Sequence, residues 1–313
     1  MKKNIVPIAF AFDNHLVMPA CICISSLLMN ARPDTFYDIF ILQPKDEELN
    51  KAELNKIPSY FANCKLNYRK VENIFDNAFQ TRGINTVTYY RLLIPQLIPE
   101  YNVVLYSDVD VIFQDDLADL YHGTDLAGYY LAGVNSLSHL NRDLERHYHA
   151  LNVDPTKTIY AGNLIIHSKA ILEDGIINHF IRHAAKRYTF QDMDIVNIVC
   201  AGRIKYLPPS YCVTTYFTEF AAYHKDDLLS IWSEDEIKQA LKKGIIHYNG
   251  QKPWKGYCIN FDIWWEYYRK SPFFDEKFYY DFFAKKLDEY DRLSLWKRIK
   301  ILGRYFIHGR TDN

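Results

Sequence analysis

The order of apolar and polar residues in the first third of the chain predicts alternating strands and helices. Three segments have the apolar pattern of buried strands, residues 5–12, 37–42 and 102–106, and residues 64–71 have the alternating pattern of a further strand. Three segments between them have helical patterns: residues 19–30, 46–57 and 88–97. This β-α-β alternation predicts an α/β fold with a mainly parallel sheet that is flanked by helices on both faces.

The second half of the chain is less regular and becomes helical towards its end. Three further segments have the pattern of short strands: residues 159–167, 204–207 and 244–248. A helix is predicted at residues 192–200, and the chain is aromatic and helical from about residue 260. Neither an internal repeat nor a low-complexity linker interrupts it. We therefore predict one α/β domain at residues 1–260 and a helical, aromatic and basic C-terminal extension at residues 261–313.

Composition narrows the class of protein. The chain has 313 residues, a formal charge of -1 and 49% hydrophobic residues, so we expect a soluble domain and no binding to nucleic acid, which requires a basic excess. The six cysteines are scattered, which is typical of reduced thiols in a cytosolic protein. The first apolar run ends at Asp13, too early for a signal peptide, and no run approaches the roughly 20 residues of a spanning helix. We expect a cytoplasmic location.

Two predicted strands end in acidic loops, one at Asp13-Asn14 and one at Ser107-Asp108-Val109-Asp110. In parallel sheets, ligands bind beyond the carboxyl ends of the strands. Two carboxylates at the end of a buried strand can bind a divalent cation, and such a cation can neutralise a diphosphate. The alternative is a solvated acidic turn, because this short pattern is common.

His247 strengthens the metal hypothesis. It ends the apolar run at residues 244–246 and opens the loop HYNGQKPWK. An imidazole beside two carboxylates suits Mn²⁺ better than Mg²⁺. In the same loop, Gly250 permits close backbone approach, and Lys252 offers a cation for phosphate oxygens. Without the acidic strand end, the same residues would indicate a surface loop and a structural histidine.

A second acidic pair, Asp192 and Asp194, precedes an apolar helical pattern in the segment FQDMDIVN. Aspartate is favoured at helix N-termini, where it caps the backbone and opposes the helix dipole. A sugar-binding or catalytic role explains the pair equally well, so both interpretations stay open at this point.

Taken in order, these segments resemble retaining glycosyltransferase family 8, which includes bacterial lipopolysaccharide galactosyl- and glucosyltransferases and glycogenin. The resemblance covers roughly residues 3 to 256. It rests on IAFAFDNHLVMPACICISSL, TYYRLLIPQLIP, YSDVDVIF, IYAGNLIIHSKA, FQDMDIVN and IHYNGQKPWK. The resemblance implies a Rossmann-like GT-A fold, a UDP-hexose donor, with glucose or galactose as the hexose, and a saccharide acceptor in a cell-surface glycan or lipopolysaccharide.

The resemblance also implies roles for individual residues. It suggests Asp108, Asp110 and His247 as ligands of Mn²⁺, with Mg²⁺ as the alternative metal. The remaining implied contacts are with the donor: Asp13 and Asn14 near the uracil and ribose, Arg91 near the sugar or phosphates, Gly250 and Lys252 at the diphosphate, and Asp192 at the hexose hydroxyls.

Two positions depart from the family's pattern. Met193 stands where relatives commonly have a glutamine between two aspartates, and Tyr160 stands where they often have an asparagine. One expected contact to the donor sugar is therefore lost or is replaced by Asn163. Both departures leave the nucleotide and metal positions intact, and they leave the identity of the donor sugar open.

The catalytic candidates are Asp192 and Asp194. Retention of configuration requires either front-face attack, assisted by the leaving phosphate, or a double displacement for which Asp194 is the available nucleophile. The sequence does not decide between these mechanisms. Two other functions compete with transfer. One is a nucleotide-sugar-binding protein without transferase activity, and the other is a metal-dependent phosphoesterase, for which the expected His and Asp clusters are missing.

The segment LSLWKRIKILGRYFIHGR, at residues 293–310, is both basic and apolar with helical spacing. Such a helix suits the interface of an anionic membrane, and a glycolipid acceptor would give it a purpose. The alternative is an ordinary helix packed on the domain. We expect a cytoplasmic protein that binds peripherally to the inner face of the membrane through this segment.

Overall fold

The computed structural model describes residues 4–75, 78–80 and 86–307. Backbone contacts divide the chain into two compact units, Met1–Pro272 and Phe273–Asn313. The predicted boundary after residue 260 falls before the last helix of the first unit, α12 (Phe261–Lys270). Two consecutive tryptophans on this helix, Trp264 and Trp265, are buried.

The first unit is built on a seven-stranded sheet with the strand order β3-β2-β1-β4-β7-β6-β8. Its strands are β1 (Asn4–Ala11), β2 (Thr35–Pro44), β3 (Cys64–Val71), β4 (Val104–Ser107), β6 (Leu131–Asn135), β7 (Ile159–Ile166) and β8 (Ile204–Tyr206). All pairs are parallel except those of β7, which runs antiparallel to β4 and β6. The predicted mainly parallel sheet is thus confirmed, and it has one reversed strand, β7, next to its central strand β4.

A second, three-stranded sheet has the order β5-β10-β9. Its strands are β5 (Val111–Ile112), β9 (Val213–Thr214) and β10 (Ile246–His247). Since β5 begins four residues after β4 ends, the chain passes from one sheet to the other through Asp108, Val109 and Asp110.

Helices flank the sheet of the first unit. They are α1 (Val17–Met29), α2 (Ile57–Tyr60), α3 (Ile94–Leu97), α4 (Ala118–Gly123), α5 (Arg142–Ala150), α6 (Ser168–Glu173), α7 (Ile176–Ala184), α8 (Asp192–Val199), α9 (Thr215–Tyr223), α10 (Lys225–Leu229), α11 (Glu234–Lys243) and α12. The helix α1 is apolar around its whole circumference and is buried along its length, as expected of a helix covered on every side.

Helix α1 also supports the segment that joins the two sheets. The Ser26 hydroxyl oxygen accepts a hydrogen bond from the Phe113 backbone N–H at 3.0 Å. The Asn30 side-chain amide donates to the Phe113 carbonyl at 2.9 Å and to the Tyr267 hydroxyl at 2.8 Å. Ser26 on helix α1 and Asn30 at its C-cap therefore fix the position of the chain just after Asp110.

One predicted helix is wrong. Residues 46–57 form bends followed by the 3-10 turn Leu54–Lys56, and helix α2 begins only at Ile57. The reason is the side chain of Asn14, which donates to the Glu48 carbonyl at 3.2 Å and accepts from the Asn50 N–H at 2.6 Å. These backbone groups bond to a distant side chain in place of a helical partner. The predicted helix at residues 88–97 is present, mostly as the 3-10 segment Thr86–Leu93.

The second unit contains the long helices α13 (Glu276–Asp291) and α14 (Leu295–Ile307). The predicted helical C-terminal extension is therefore confirmed, and residues 308–310 of the predicted basic segment lie outside the described residues. Within the described parts of the chain, no helix has both the length and the apolar character that crossing a bilayer requires.

Candidate functional site

The segment Asp108–Asp110, which we call the acidic crossing, and the loop that begins at His247 meet where the two sheets join. The Asp108 backbone N–H donates to the Gly162 carbonyl of β7 at 2.8 Å, and the Tyr248 N–H donates to the Asp110 carbonyl at 2.9 Å. In the small sheet, His247 pairs with Val111 of β5. Backbone pairing in both sheets therefore brings the side chain of His247 to those of Asp108 and Asp110, which are distant from it in sequence.

These three side chains are Asp108, Asp110 and His247, the predicted metal ligands. The His247 Nε2 atom lies 3.3 Å from an Asp110 oxygen and 3.6 Å from an Asp108 oxygen. One potential ligand atom from each residue lies within 4.8 Å of the others. We refer to these three residues as the metal triad.

Positive groups of the protein surround Asp110. Burial raises the pKa of its carboxyl group, but the neighbouring His247 and Lys252 outweigh burial and hold that pKa well below its usual range. Burial lowers the pKa of His247, yet the Asp110 carboxylate outweighs this and raises it to about 10. The Lys252 ammonium group also donates a hydrogen bond to an Asp110 oxygen. The carboxylates are thus compensated by cations in the protein itself.

The donor set fits a divalent metal ion. Carboxylate oxygens and an imidazole nitrogen suit Mn²⁺ and related ions. The His247 Nδ1 atom lies 3.6 Å from the Cys212 sulfur, so that Nε2 is left directed at the carboxylates. A Cβ atom on Gly162 would lie 2.2 Å from the His247 ring and 2.8 Å from an Asp108 oxygen. Only glycine at this position leaves room for the triad.

Arg91 connects the metal triad to the second acidic pair. Its Nη2 atom lies 2.8 Å from an Asp108 oxygen, and its Nε atom lies 3.1 Å from an Asp192 oxygen. Nη1 donates to the Ala161 carbonyl at 2.5 Å. Burial lowers the pKa of Arg91, but the two carboxylates outweigh burial and raise it further above its ordinary value. The predicted contact of Arg91 with the donor stays a prediction.

The two aspartates of the second pair have different surroundings. Asp192 is the first residue of α8 and accepts a hydrogen bond from the Thr88 hydroxyl at 2.8 Å. Burial raises the pKa of Asp192, and Arg91 partly offsets that effect. Asp194 is 0% exposed and accepts from the Phe190 N–H at 2.9 Å. Asp192 thus lies beside Arg91, whereas Asp194 is enclosed.

Other predicted donor contacts lie around the crossing. Asp13 follows β1, the neighbour of β4, and accepts a hydrogen bond from the His15 N–H at 2.9 Å. Asn14 is exposed and supports the loop at residues 47–50. Gly250 is exposed, and a Cβ atom there would meet nothing within 4 Å. Their contacts with a donor remain predictions.

Asn163 is separated from the metal triad by the alternation of side chains along β7. Gly162 faces the triad, so the next residue faces the other side of the sheet. The Asn163 side chain donates to the Ser107 hydroxyl at 3.1 Å and lines an internal cavity with Leu117 and Leu207. Its predicted role, which is to replace a lost contact with the donor sugar, stays a prediction. Its neighbours in this structure are Ser107 and apolar core residues.

Sequence reasoning missed several residues that hold the site together. They are Thr88, Tyr106, His147, Gly162 and Cys212. Thr88 donates to Asp192, the Tyr106 hydroxyl donates to Asp108 at 2.7 Å, and His147 pairs with Asp194. The Ala-Gly-Asn run around Gly162 was a visible signal. The others occur in ordinary helical or strand patterns, where nothing marks them.

Comparison with known proteins agrees with this geometry. The family model for glycosyl transferase family 8 matches residues 7–258. A Haemophilus influenzae protein named as a glycosyltransferase is 26% identical over 205 residues, which cover 64% of this chain and 61% of that protein. The chain therefore spans less than two thirds of this relative.

Two solved structures share the fold. The apo structure of the bifunctional glycosyltransferase WbbM has a TM-score of 0.70 and 26% identity, covering 88% of this chain and 51% of that chain. The galactosyltransferase LgtC, in complex with donor and acceptor sugar analogs, has a TM-score of 0.69 and 21% identity, covering 87% of this chain and 98% of that chain. The predicted GT-A fold is confirmed.

We predict that Gly162→Ala weakens metal binding, because the added Cβ atom would displace the His247 ring from the carboxylates. Disturbing the shell around a metal site typically lowers affinity roughly 10- to 100-fold. Titration of Mn²⁺ in the presence of UDP, followed by calorimetry, measures this loss. Gly123→Ala is the matched control, since a Cβ atom there meets nothing within 4 Å. Equal Mn²⁺ affinity in both variants would contradict the prediction.

Proposed function

Because the chain belongs to glycosyl transferase family 8, we propose that it transfers a hexose from a UDP-sugar to a saccharide acceptor with retention of configuration. Glucose and galactose are the proposed hexoses, and a cell-surface glycan or lipopolysaccharide is the proposed acceptor. The observation that carries the proposal is the metal triad, with Lys252 on one side and the Arg91–Asp192 pair on the other.

Asp108, Asp110 and His247 would hold Mn²⁺, or alternatively Mg²⁺. When bound, the metal supplies a positive charge that stabilises the departing diphosphate. Lys252 pairs with Asp110 in this structure. Because the metal would take over that charge compensation, the lysine becomes free to bind a phosphate oxygen. The open space at Gly250 leaves the adjoining backbone accessible to the same diphosphate.

The remaining donor contacts follow the edge of the sheet. Asp13 and Asn14, after β1, are proposed to bind the uracil and ribose. On the other side of the metal triad, Arg91 keeps Asp192 in place, and Asp192 is proposed to bind hexose hydroxyls. A sugar held between Asp192 and the metal would present its anomeric carbon next to the leaving phosphate.

The surroundings of the two aspartates favour front-face attack. A double displacement would require Asp194 to reach the anomeric carbon, but its carboxylate is enclosed and bonded to His147 and to the Phe190 N–H. In front-face attack, the leaving phosphate accepts the acceptor's proton, so no enzymatic nucleophile is needed. Asp192 then serves to orient the hexose.

The two departures from the family's pattern lie on β7 and at the start of α8, elements that carry other residues of the proposed site. The Tyr160 hydroxyl accepts a hydrogen bond from the Thr214 hydroxyl at 3.4 Å. Thr214 pairs with His247 in the small sheet. Met193 follows Asp192 in the first turn of α8. We propose that these two side chains tune the choice of hexose.

We predict that Asp108→Ala, Asp110→Ala and His247→Ala each abolish turnover while the protein stays folded. Each change removes a ligand, so the charge of the diphosphate is left uncompensated in the transition state. UDP release from UDP-glucose and UDP-galactose measures turnover, and circular dichroism measures folding. Full activity of the wild-type protein after EDTA treatment would refute metal dependence.

We predict that the wild-type chain is active despite Met193. Met193→Gln should change the rate or the donor preference by about tenfold or less, which corresponds to about one hydrogen bond. A panel of UDP-sugars measures both quantities. If the wild-type protein binds UDP-sugars but turns over none of them, a nucleotide-sugar-binding function would replace the proposed transfer.

The exposed face of α14 supports peripheral membrane binding, and we propose an anionic membrane surface as its partner. Leu295 is 71% exposed and Trp296 is 79% exposed. Lys297 and Lys300 lie on the same helix and are also exposed. Apolar and basic side chains on one exposed helix suit the interface between lipid headgroups and acyl chains. A glycolipid acceptor would then be within reach of a peripherally bound enzyme.

We predict that deletion of residues 293–313 leaves the first unit folded and lowers binding to anionic vesicles. Each basic residue near such a surface contributes on the order of 1 kcal/mol, and high salt should mimic the deletion. Activity on a soluble acceptor should persist, whereas activity on a membrane-embedded acceptor should fall. Co-sedimentation and thermal melting distinguish the outcomes: a destabilised truncation, together with a full chain that binds no vesicles, indicates a packed helix.

A further inference from the structure

A histidine outside the metal triad contacts the acidic turn at the start of α8. The His147 Nε2 atom lies 3.0 Å from both carboxylate oxygens of Asp194. The His147 ring meets the rings of Tyr148 and Phe190 at steep angles, with centroids 5.1 Å away in each case. The His147 side chain is 19% exposed. It therefore lies at the protein surface, with Asp194 beneath it.

Asp194 in turn holds the backbone of the turn that precedes it. One of its oxygens accepts from the Phe190 N–H at 2.9 Å. The next residue, Gln191, has φ 46° and ψ -114°, which a residue with a side chain rarely adopts. Such a conformation is unfavourable and persists only where the surroundings impose it. The Gln191 amide contributes by donating to the Phe79 carbonyl at 3.0 Å.

The strained residue directly precedes Asp192. One Asp192 oxygen accepts from Thr88, and the other lies 3.1 Å from the Arg91 Nε atom. Relaxation of Gln191 would rotate the first turn of α8 and move the Asp192 carboxylate away from Arg91. The orientation of the Asp192 carboxylate therefore depends on the hydrogen bond between Phe190, two residues before it, and Asp194, two residues after it.

We propose that His147 is a positioning residue for the donor hexose. By holding Asp194, it keeps the turn at Gln191 in its strained form and the Asp192 carboxylate against Arg91. We call His147, Asp194 and the Phe190 N–H the turn clamp. The role rests on the proposed function, because Asp192 matters only if it binds the hexose. The same contact keeps Asp194 turned away from the reacting sugar.

Three variants test the turn clamp. His147→Ala removes the contact. His147→Gln retains an N–H donor at a similar reach. His149→Ala is the matched control, because His149 is an exposed histidine on the same helix. For each protein, calorimetry with Mn²⁺ gives the affinities for UDP and for UDP-glucose or UDP-galactose. Initial rates give kcat and KM, and melting temperatures report on folding.

His147→Ala should leave UDP affinity within about twofold of wild type, because the proposed nucleotide and metal contacts lie on other elements of the fold than α5. The ratio of the UDP-hexose affinity to the UDP affinity should fall roughly tenfold, and kcat should fall roughly 10- to 100-fold, as expected when a reacting group is misplaced. His147→Gln should recover most of both losses. His149→Ala should behave as wild type.

Three outcomes overturn the turn clamp. The first is a His147→Ala protein with the wild-type affinity ratio and kcat. The second is a His147→Gln protein no better than His147→Ala. The third is a His147→Ala protein that loses UDP affinity and melting temperature together, which indicates a merely structural role. The proposed function fails separately, if the wild-type protein transfers from no UDP-sugar. The affinity ratio of UDP-hexose to UDP tests the clamp even then, because it requires no turnover.

Discussion

The structure of the site depends on compensating buried negative charge. Removing a carboxylate from water is costly unless a cation or hydrogen-bond donors replace the lost solvent. Three carboxylates lie close to one another here, those of Asp108, Asp110 and Asp192. Three cationic side chains compensate their charge: Arg91, His247 and Lys252. Because Arg91 comes from one part of the chain and His247 and Lys252 come from another, this requirement determines which segments must meet.

Backbone pairing supplies the rigidity that such a cluster needs. The acidic crossing is bonded on one side to Gly162 of the large sheet and on the other to Tyr248 beyond the small sheet. Since the single reversed strand β7 carries Gly162, its antiparallel pairing with β4 brings the glycine next to Asp108. The absence of a side chain there lets His247 approach the carboxylates. The presence of glycine at residue 162 therefore affects the geometry of the whole metal triad.

The strands and the metal triad were predictable because burial and charge leave direct marks on sequence. Apolar runs located seven of the described strands but not β5, β6 or β9, and acidic residues at a strand end pointed to the site. The helix predicted at residues 46–57 failed because the distant Asn14 captures its backbone groups, which no local pattern reveals. The surroundings of Asn163 depend on strand alternation relative to Gly162, and the pairing of His147 with Asp194 depends on tertiary packing. Such contacts belong to the fold as a whole.

The Arg91 guanidinium group links two parts of the site. One guanidinium group binds both Asp108, which belongs to the metal triad, and Asp192, which is proposed to bind the hexose. An event that draws either carboxylate away alters the hold on the other. If the proposed cation and hexose sites are correct, their occupancies are thermodynamically linked, and linkage is reciprocal: the factor by which a bound cation changes hexose affinity equals the factor by which a bound hexose changes cation affinity. In the proposed function, cation and sugar would thus act as mutual effectors through a single side chain.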